Sequence, residues 1–237
     1  MLRRKFLQTS LAIPIALKKP VKVTGMTETI EVINAGVGGN NTIDLLNRIE
    51  KDCMAHHPDL TILMIGTNDM NSRKYIPLAE YETNLRKIIG IIKQSGSRIL
   101  LMTILPVYEP YLFKRHNPDF YQPEGHFQRK AKVNELIRKL ALEYDLQFLD
   151  IHQVFQKIGN VGLSPDSLIK NEANSQSTDG VHPTAQGYKV IATAVYAYLS
   201  DKFKSGKIVC FGDSITIGDG KAEGENYPAY LKKMLNN

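Results

Sequence analysis

Two short stretches of this sequence carry residues suited to nucleophilic chemistry. Ser214 stands in Gly212-Asp213-Ser214, directly after an apolar run. Asp179 and His182 stand three residues apart in the turn-like Asp179-Gly180-Val181-His182-Pro183. A hydroxyl needs a base to become a nucleophile near neutral pH. The base needs a third group that fixes its tautomer and stabilises its cationic form. One loop can present Asp179 and His182 together, and Ser214 would reach them from elsewhere. An oxyanion forming on an attacked carbonyl needs donors aimed at it. The backbone N–H groups of Ser214 and Gly39 are suited to this, together with the side-chain amide of Asn68.

Each residue also has a bland reading. Ser214 could be a helix N-cap, His182 a satisfied loop histidine, and Asp179 an ordinary turn residue. Gly36, Gly38 and Gly39 could merely shape a turn or cradle a phosphate. Gly36-Val37-Gly38 lacks the third glycine of a dinucleotide fingerprint, because Gly39 comes too soon. Asp69 and Asp213 read as structural hydrogen-bonding groups. His56-His57-Pro58 reads as the surface end of a helix rather than a metal site.

Groups so far apart in sequence must be carried to one place by regular elements. Apolar runs at Ile30 to Ile33, Leu60 to Ile65, Ile99 to Leu105 and Ile208 to Phe211 read as buried strands, with Gln147 to Leu149 as a weaker fifth. Helical stripes separate them: Ile43, Leu46, Ile49 and Cys53; Leu78, Tyr81, Leu85, Ile88 and Ile92; Val133, Leu136, Ile137 and Leu140; Tyr188, Ile191, Val195 and Leu199; and Tyr227, Leu231 and Met234. Strongly apolar strands alternating with helices predict a parallel sheet covered on both faces. In such sheets reactive groups gather in the loops at the carboxyl ends of the strands, and the blocks containing Gly39, Asn68 and Ser214 each follow a predicted strand. Pro106 to Gly125 reads as a long irregular excursion rich in aromatic residues. Its length suggests contact with substrate, or else packing on the body.

Composition narrows the class further. The chain has 237 residues, is 43% hydrophobic and carries a formal charge of +6. That length favours one domain, expected over residues 23–237. Six of the 30 basic side chains lie at Arg3, Arg4, Lys5, Lys18, Lys19 and Lys22, a stretch without acids. The remaining basic residues match the 24 acidic ones in number. The body is therefore formally neutral, and its charge gives no argument for a nucleic-acid partner. Residues 1–22 have a charged start and a short apolar core, which reads as an export leader of twin-arginine type. The expectation is therefore an exported protein. No apolar run is long enough to imply stable membrane insertion. Cys53 and Cys210 lack metal-ligand spacing, and neither a metal nor any other cofactor is called for.

Taken together, four blocks resemble the SGNH hydrolases, also called the GDSL esterase/lipase family. Gly212-Asp213-Ser214 resembles the nucleophile block and Asn34 to Asn40 the glycine block. Gly66-Thr67-Asn68-Asp69 is similar to the G-x-N-D block and Asp179 to Pro183 to the D-x-x-H block. The resemblance implies a flavodoxin-like three-layer α/β/α sandwich with a parallel sheet of about five strands. It also implies a metal-independent esterase with a Ser214–His182–Asp179 triad and an oxyanion hole at Ser214, Gly39 and Asn68. Its substrate would be a small-molecule or carbohydrate ester, with acetyl esters of carbohydrate preferred. In that family the nucleophile block comes first; here residues 207–237 bring it last. A circular permutation joined through Lys204-Ser205-Gly206 would explain this, as would a truncated tandem protein. The competing functional class is a non-catalytic carbohydrate- or acyl-binding module on the same fold.

Overall fold

A computed structural model describes residues 29–237. The expected leader, residues 1–22, lies outside the described residues. Five strands form one sheet: β1 (Ile30–Gly36), β2 (Leu60–Met64), β3 (Arg98–Met102), β4 (Gln147–Leu149) and β5 (Gly206–Gly212). All neighbouring pairs are parallel, in the order β1-β5-β2-β3-β4. The last strand of the chain therefore lies inside the sheet, between the first two. Counted from β5 as the first strand and continuing through β1, the order reads 2-1-3-4-5. This is the flavodoxin-like order.

The helices are α1 (Thr42–Asp52), α2 (Leu78–Gln94), α3 (Glu109–Leu112), α4 (His126–Glu143), α5 (Ile151–Ile158), α6 (Glu172–Ser175), α7 (Ala185–Leu199), α8 (Ser214–Ile217) and α9 (Tyr227–Leu235). They cover the sheet on both faces, because alternate strand residues point to opposite sides. Leu63, Leu101, Val209 and Phe211 pack with α1, α2 and α4. Leu60, Ile62, Leu100, Ile208 and Cys210 pack with α5, α7 and α9. Cys53 and Cys210 belong to opposite layers and are both buried free thiols. Among the described residues no helix is long and apolar enough to cross a membrane.

Several boundaries and faces depart from the sequence reading. β3 ends at Met102 rather than Leu105. There the Asn134 side chain of α4 takes over, accepting from the Ile104 N–H at 2.9 Å and donating to its carbonyl at 3.2 Å. Ile43 is 38% exposed. An Asn41–Asp44 capping box starts α1 and buries Thr42, so the inward stripe runs through Leu45 and Ile49. Leu78, at the start of α2, is also exposed. Pro106 to Gly125 is not wholly irregular, since it contains α3 and a 3-10 turn at Pro118–Tyr121. Gly206, expected in a polar join, begins β5.

The two ends of the described chain meet. Asn236, just after α9, accepts from the Ile30 N–H at 3.1 Å and donates to the Ile30 carbonyl at 3.0 Å. Its side chain thus continues the edge of β1 as a backbone amide would.

Candidate active site

Ser214 is the first residue of α8, immediately after β5. Asp213, not Ser214, caps this helix, accepting from the Ile215 N–H at 2.9 Å. The serine side chain is thereby free of capping duty. The turn is tight because two glycines allow close approach. A Cβ on Gly36 would lie 2.2 Å from the Ile217 nitrogen, and one on Gly212 would lie 2.4 Å from Thr216 Oγ1. Asn34 of β1 holds the far end of α8 by donating to the Ile217 carbonyl at 3.2 Å.

His182 reaches this turn from the loop that precedes α7. Its Nε2 lies 3.0 Å from Ser214 Oγ, and its Nδ1 lies 2.8 Å from Asp179 Oδ2. The other oxygen of Asp179 accepts the backbone N–H groups of Val181 and His182 at 2.8 and 2.7 Å. Burial opposes the charge on Asp179. The His182 hydrogen bond and charge, with these two amides, outweigh it and hold the carboxyl well below the usual carboxylate range.

The loop carrying Asp179 and His182 is anchored on two sides. Lys170 donates its N–H to the His182 carbonyl and accepts the Gly180 N–H, each at 2.9 Å, and Ile169 bridges Pro183. On the other side Tyr108 donates its N–H to the Gly180 carbonyl at 2.8 Å. Gly180 has φ +70, and a Cβ there would lie 2.7 Å from the Tyr111 Cβ. Arg115 donates to the Asp179 carbonyl at 2.8 Å.

The expected oxyanion donors line the same cleft as Ser214 and His182, a space of about 340 Å3. Gly39 has φ +74, and its N–H has no hydrogen-bond partner among the described residues. The Ser214 N–H lies in the first turn of α8, where no intrahelical acceptor exists. Asn68 Nδ2 donates to the Asn40 carbonyl at 2.8 Å. Its other contact, to Asp213 Oδ2, is a long 3.4 Å, so one amide hydrogen is only weakly engaged.

Two buried acids lie behind these donors. Burial, with Asp69 nearby, pushes Asp213 up to about 7 against the opposing Ile215 N–H and His182 charge. Burial likewise pushes Asp69 up to about 6, although Thr42 donates to it through both N–H and Oγ1. These are the structural hydrogen-bonding roles expected of both aspartates.

Other contributors were not singled out from the sequence. Arg48 of α1 donates to the Ala35 carbonyl at 2.9 Å, the Gly212 carbonyl at 2.8 Å and Asn40 Oδ1 at 2.6 Å. Its guanidinium lies 4.5 Å from the centre of the Phe211 ring. One side chain thus ties the glycine loop to the strand that carries the serine. The available signal was an arginine beside the apolar stripe, one residue before Ile49. Arg73, Lys74, Arg115 and His116 also line the cleft. The expectation for Pro106 to Gly125 therefore divides. Arg115 and His116 face the cleft, whereas Tyr111 and Tyr121 are buried in packing.

The comparisons bear on the same residues. The family model described as GDSL-like Lipase/Acylhydrolase matches residues 22–190. This range includes Gly39, Asn68, Asp179 and His182 and ends before Ser214. An acetylxylan esterase of Geobacillus stearothermophilus is 28% identical over 173 residues, covering 70% of this chain and 70% of the relative. A crystal structure of an acetylxylan esterase from that organism has a TM-score of 0.50 at 25% identity, covering 68% of each chain. The fold is also similar to a lipase/acylhydrolase of Enterococcus faecalis, with a TM-score of 0.55 at 18% identity, covering 69% of this chain and 72% of that one.

Proposed function

The chain belongs to the GDSL-like lipase/acylhydrolase family and is a carboxylic ester hydrolase, and on that premise we propose that Ser214 is its nucleophile, His182 its general base and Asp179 the group that orients the base. The observation carrying this reading is the continuous chain of hydrogen bonds from Asp179 through His182 to Ser214, at 2.8 and 3.0 Å. These lengths fall within the reach needed for proton transfer.

Ser214 Oγ attacks the ester carbonyl as its proton passes to His182 Nε2. The positive charge then forming on the imidazole faces Asp179, whose carboxylate is held ionised. The oxyanion is received by the N–H groups of Ser214 and Gly39 and by the amide of Asn68. His182 returns the proton to the leaving alcohol. Water, deprotonated by the same histidine, then releases the acid from the serine.

Acetyl groups on carbohydrate are the proposed substrate, in keeping with the acetylxylan esterase relative. Residues 23–237 act as one domain, and residues 207–237 supply the nucleophile. We also read the block order as a circular permutation. The 2-1-3-4-5 strand order counted from β5 and the Asn236–Ile30 pairing support it. Export through the leader at residues 1–22 belongs to the same reading. A Bacillus subtilis relative of 22% identity, covering 68% of this chain and 70% of the relative, is itself a lipoprotein.

The test is hydrolysis of a chromogenic acetate ester by the purified protein and by Ser214→Ala. Loss of turnover in a variant with an unchanged thermal transition supports the assignment; full activity in that variant would end it.

A further inference from the structure

The cleft beside Ser214 has a charge that hydrolysis of a neutral ester does not require. Arg73, Lys74 and Arg115 line it, and none of its lining residues is an aspartate or glutamate. Lys74 is committed to the Asp44 carboxylate at 2.8 Å. Arg73 has no hydrogen bond or ion pair among the described residues. Arg115 spends one nitrogen on the Asp179 carbonyl and meets no carboxylate there. Two exposed guanidiniums therefore face the cleft without a neutralising partner.

His116 lines the same cleft as both arginines. His116 is 9% exposed, and its Nδ1 lies 2.8 Å from Ser72 Oγ. Burial first, then the charges of Arg115 and Arg73, hold its pKa below the usual histidine value. Both guanidinium charges thus oppose a positive charge on this ring. The local excess stands out because the acidic and basic side chains beyond residue 22 balance.

Guanidinium groups match carboxylates in geometry as well as charge. We propose that Arg73 and Arg115 are specificity-determining residues that bind a carboxylate on the alcohol portion of the ester. The substrate class is then an acetylated acidic saccharide of uronate type rather than a neutral one. The proposal rests on the esterase reading above. It adds no chemical step: ester and water give acetate and the acidic alcohol.

The test compares 4-acetoxyphenylacetate with its N-methylamide. The two esters differ in charge, while a methylene insulates the leaving phenol from the difference. The expected result is a kcat/KM ratio favouring the charged ester by roughly fivefold or more at low salt and shrinking as salt screens the exposed pairs. In Arg73→Gln/Arg115→Gln the ratio falls to about one. The ratio is formed within each protein, so a general loss of activity cancels. If the double variant does not fold, Arg73→Gln alone should lower the ratio at least about twofold. A wild-type ratio at or below one, or a ratio unmoved by substitution, overturns the proposal and leaves the esterase standing. No turnover of either ester overturns the esterase reading and the proposal together.

Discussion

Arg48 Nη2 donates to the Gly212 carbonyl at 2.8 Å and so binds α1 to the strand that delivers Ser214. The same guanidinium holds Ala35 and Asn40 on the side of the glycine loop. The spacing between the serine and the Gly39 N–H is thus braced by this planar fork, beside the Val37 N–H bond to the same Gly212 carbonyl at 3.2 Å. Lysine keeps the charge but not the fork. Arg48→Lys is expected to lower kcat by about 10²-fold, the cost of a displacement near 1 Å, while a cooperative thermal transition remains. Unchanged kcat in the folded variant would remove Arg48 from the positioning role.

Asn68→Ala is expected to lower kcat by roughly 10² to 10³ and leave KM nearly unchanged. Its weakly engaged amide hydrogen would meet charge that exists only in the transition state. Steady-state kinetics on an acetate ester decide this. A raised KM with kcat spared would make Asn68 a ground-state substrate contact instead.

Asp213 gives a signed prediction for stability. Its pKa is raised by burial to about 7, whereas an unfolded aspartate titrates near ~3.9. Between these values the folded state binds more protons, so this contribution to stability is full below about pH 4 and is lost as pH rises through about 7. Asp213→Asn removes the ionisation and keeps an acceptor for the Ile215 N–H. The variant should be more stable than wild type at pH 8, by an amount of order 2 kcal/mol, with the difference vanishing near pH 4. Denaturant melts across this range provide the check; a variant less stable at both ends would contradict it.

Gly180→Ala should cost both stability and activity. The position has φ +70, and the new methyl would press on the Tyr111 Cβ and the Tyr108 carbonyl. Relief requires moving the loop that holds Asp179 and His182. A loss of at least about tenfold in kcat is expected, since small misplacements are costly. An alanine variant with wild-type kcat would mean that the loop tolerates displacement.

Asn236→Ala tests the pairing with Ile30. It removes two hydrogen bonds across the meeting of α9 and β1 and should lower stability by about 1–2 kcal/mol. This site lies at the opposite ends of the strands from the cleft, so kcat should hold. A thermal transition identical to wild type would show that the pairing contributes nothing.

Much of this protein was legible in its sequence because it depends on local chemistry. The strands show as short apolar runs, since a sheet covered on both faces demands apolar residues along them. Asp179 and His182 lie within one turn, so their pairing follows from spacing of three residues. Gly39, Asn68 and Ser214 could be nominated because each follows a strand. What only the tertiary structure decided are relationships across long separations. Ser214 meets His182 across 32 residues, and Arg48 meets Gly212 across 164. Asn236 meets Ile30 across 206. No local periodicity encodes such contacts; they arise when β5 inserts between β1 and β2. The inward face of α1 likewise came from the Asn41 cap and the Thr42–Asp69 contact, which turned Ile43 outward against its apolar character. The cationic cleft is of the same kind. Arg73 and Arg115 belong to a body whose charges balance, and only folding brings the two together beside the serine.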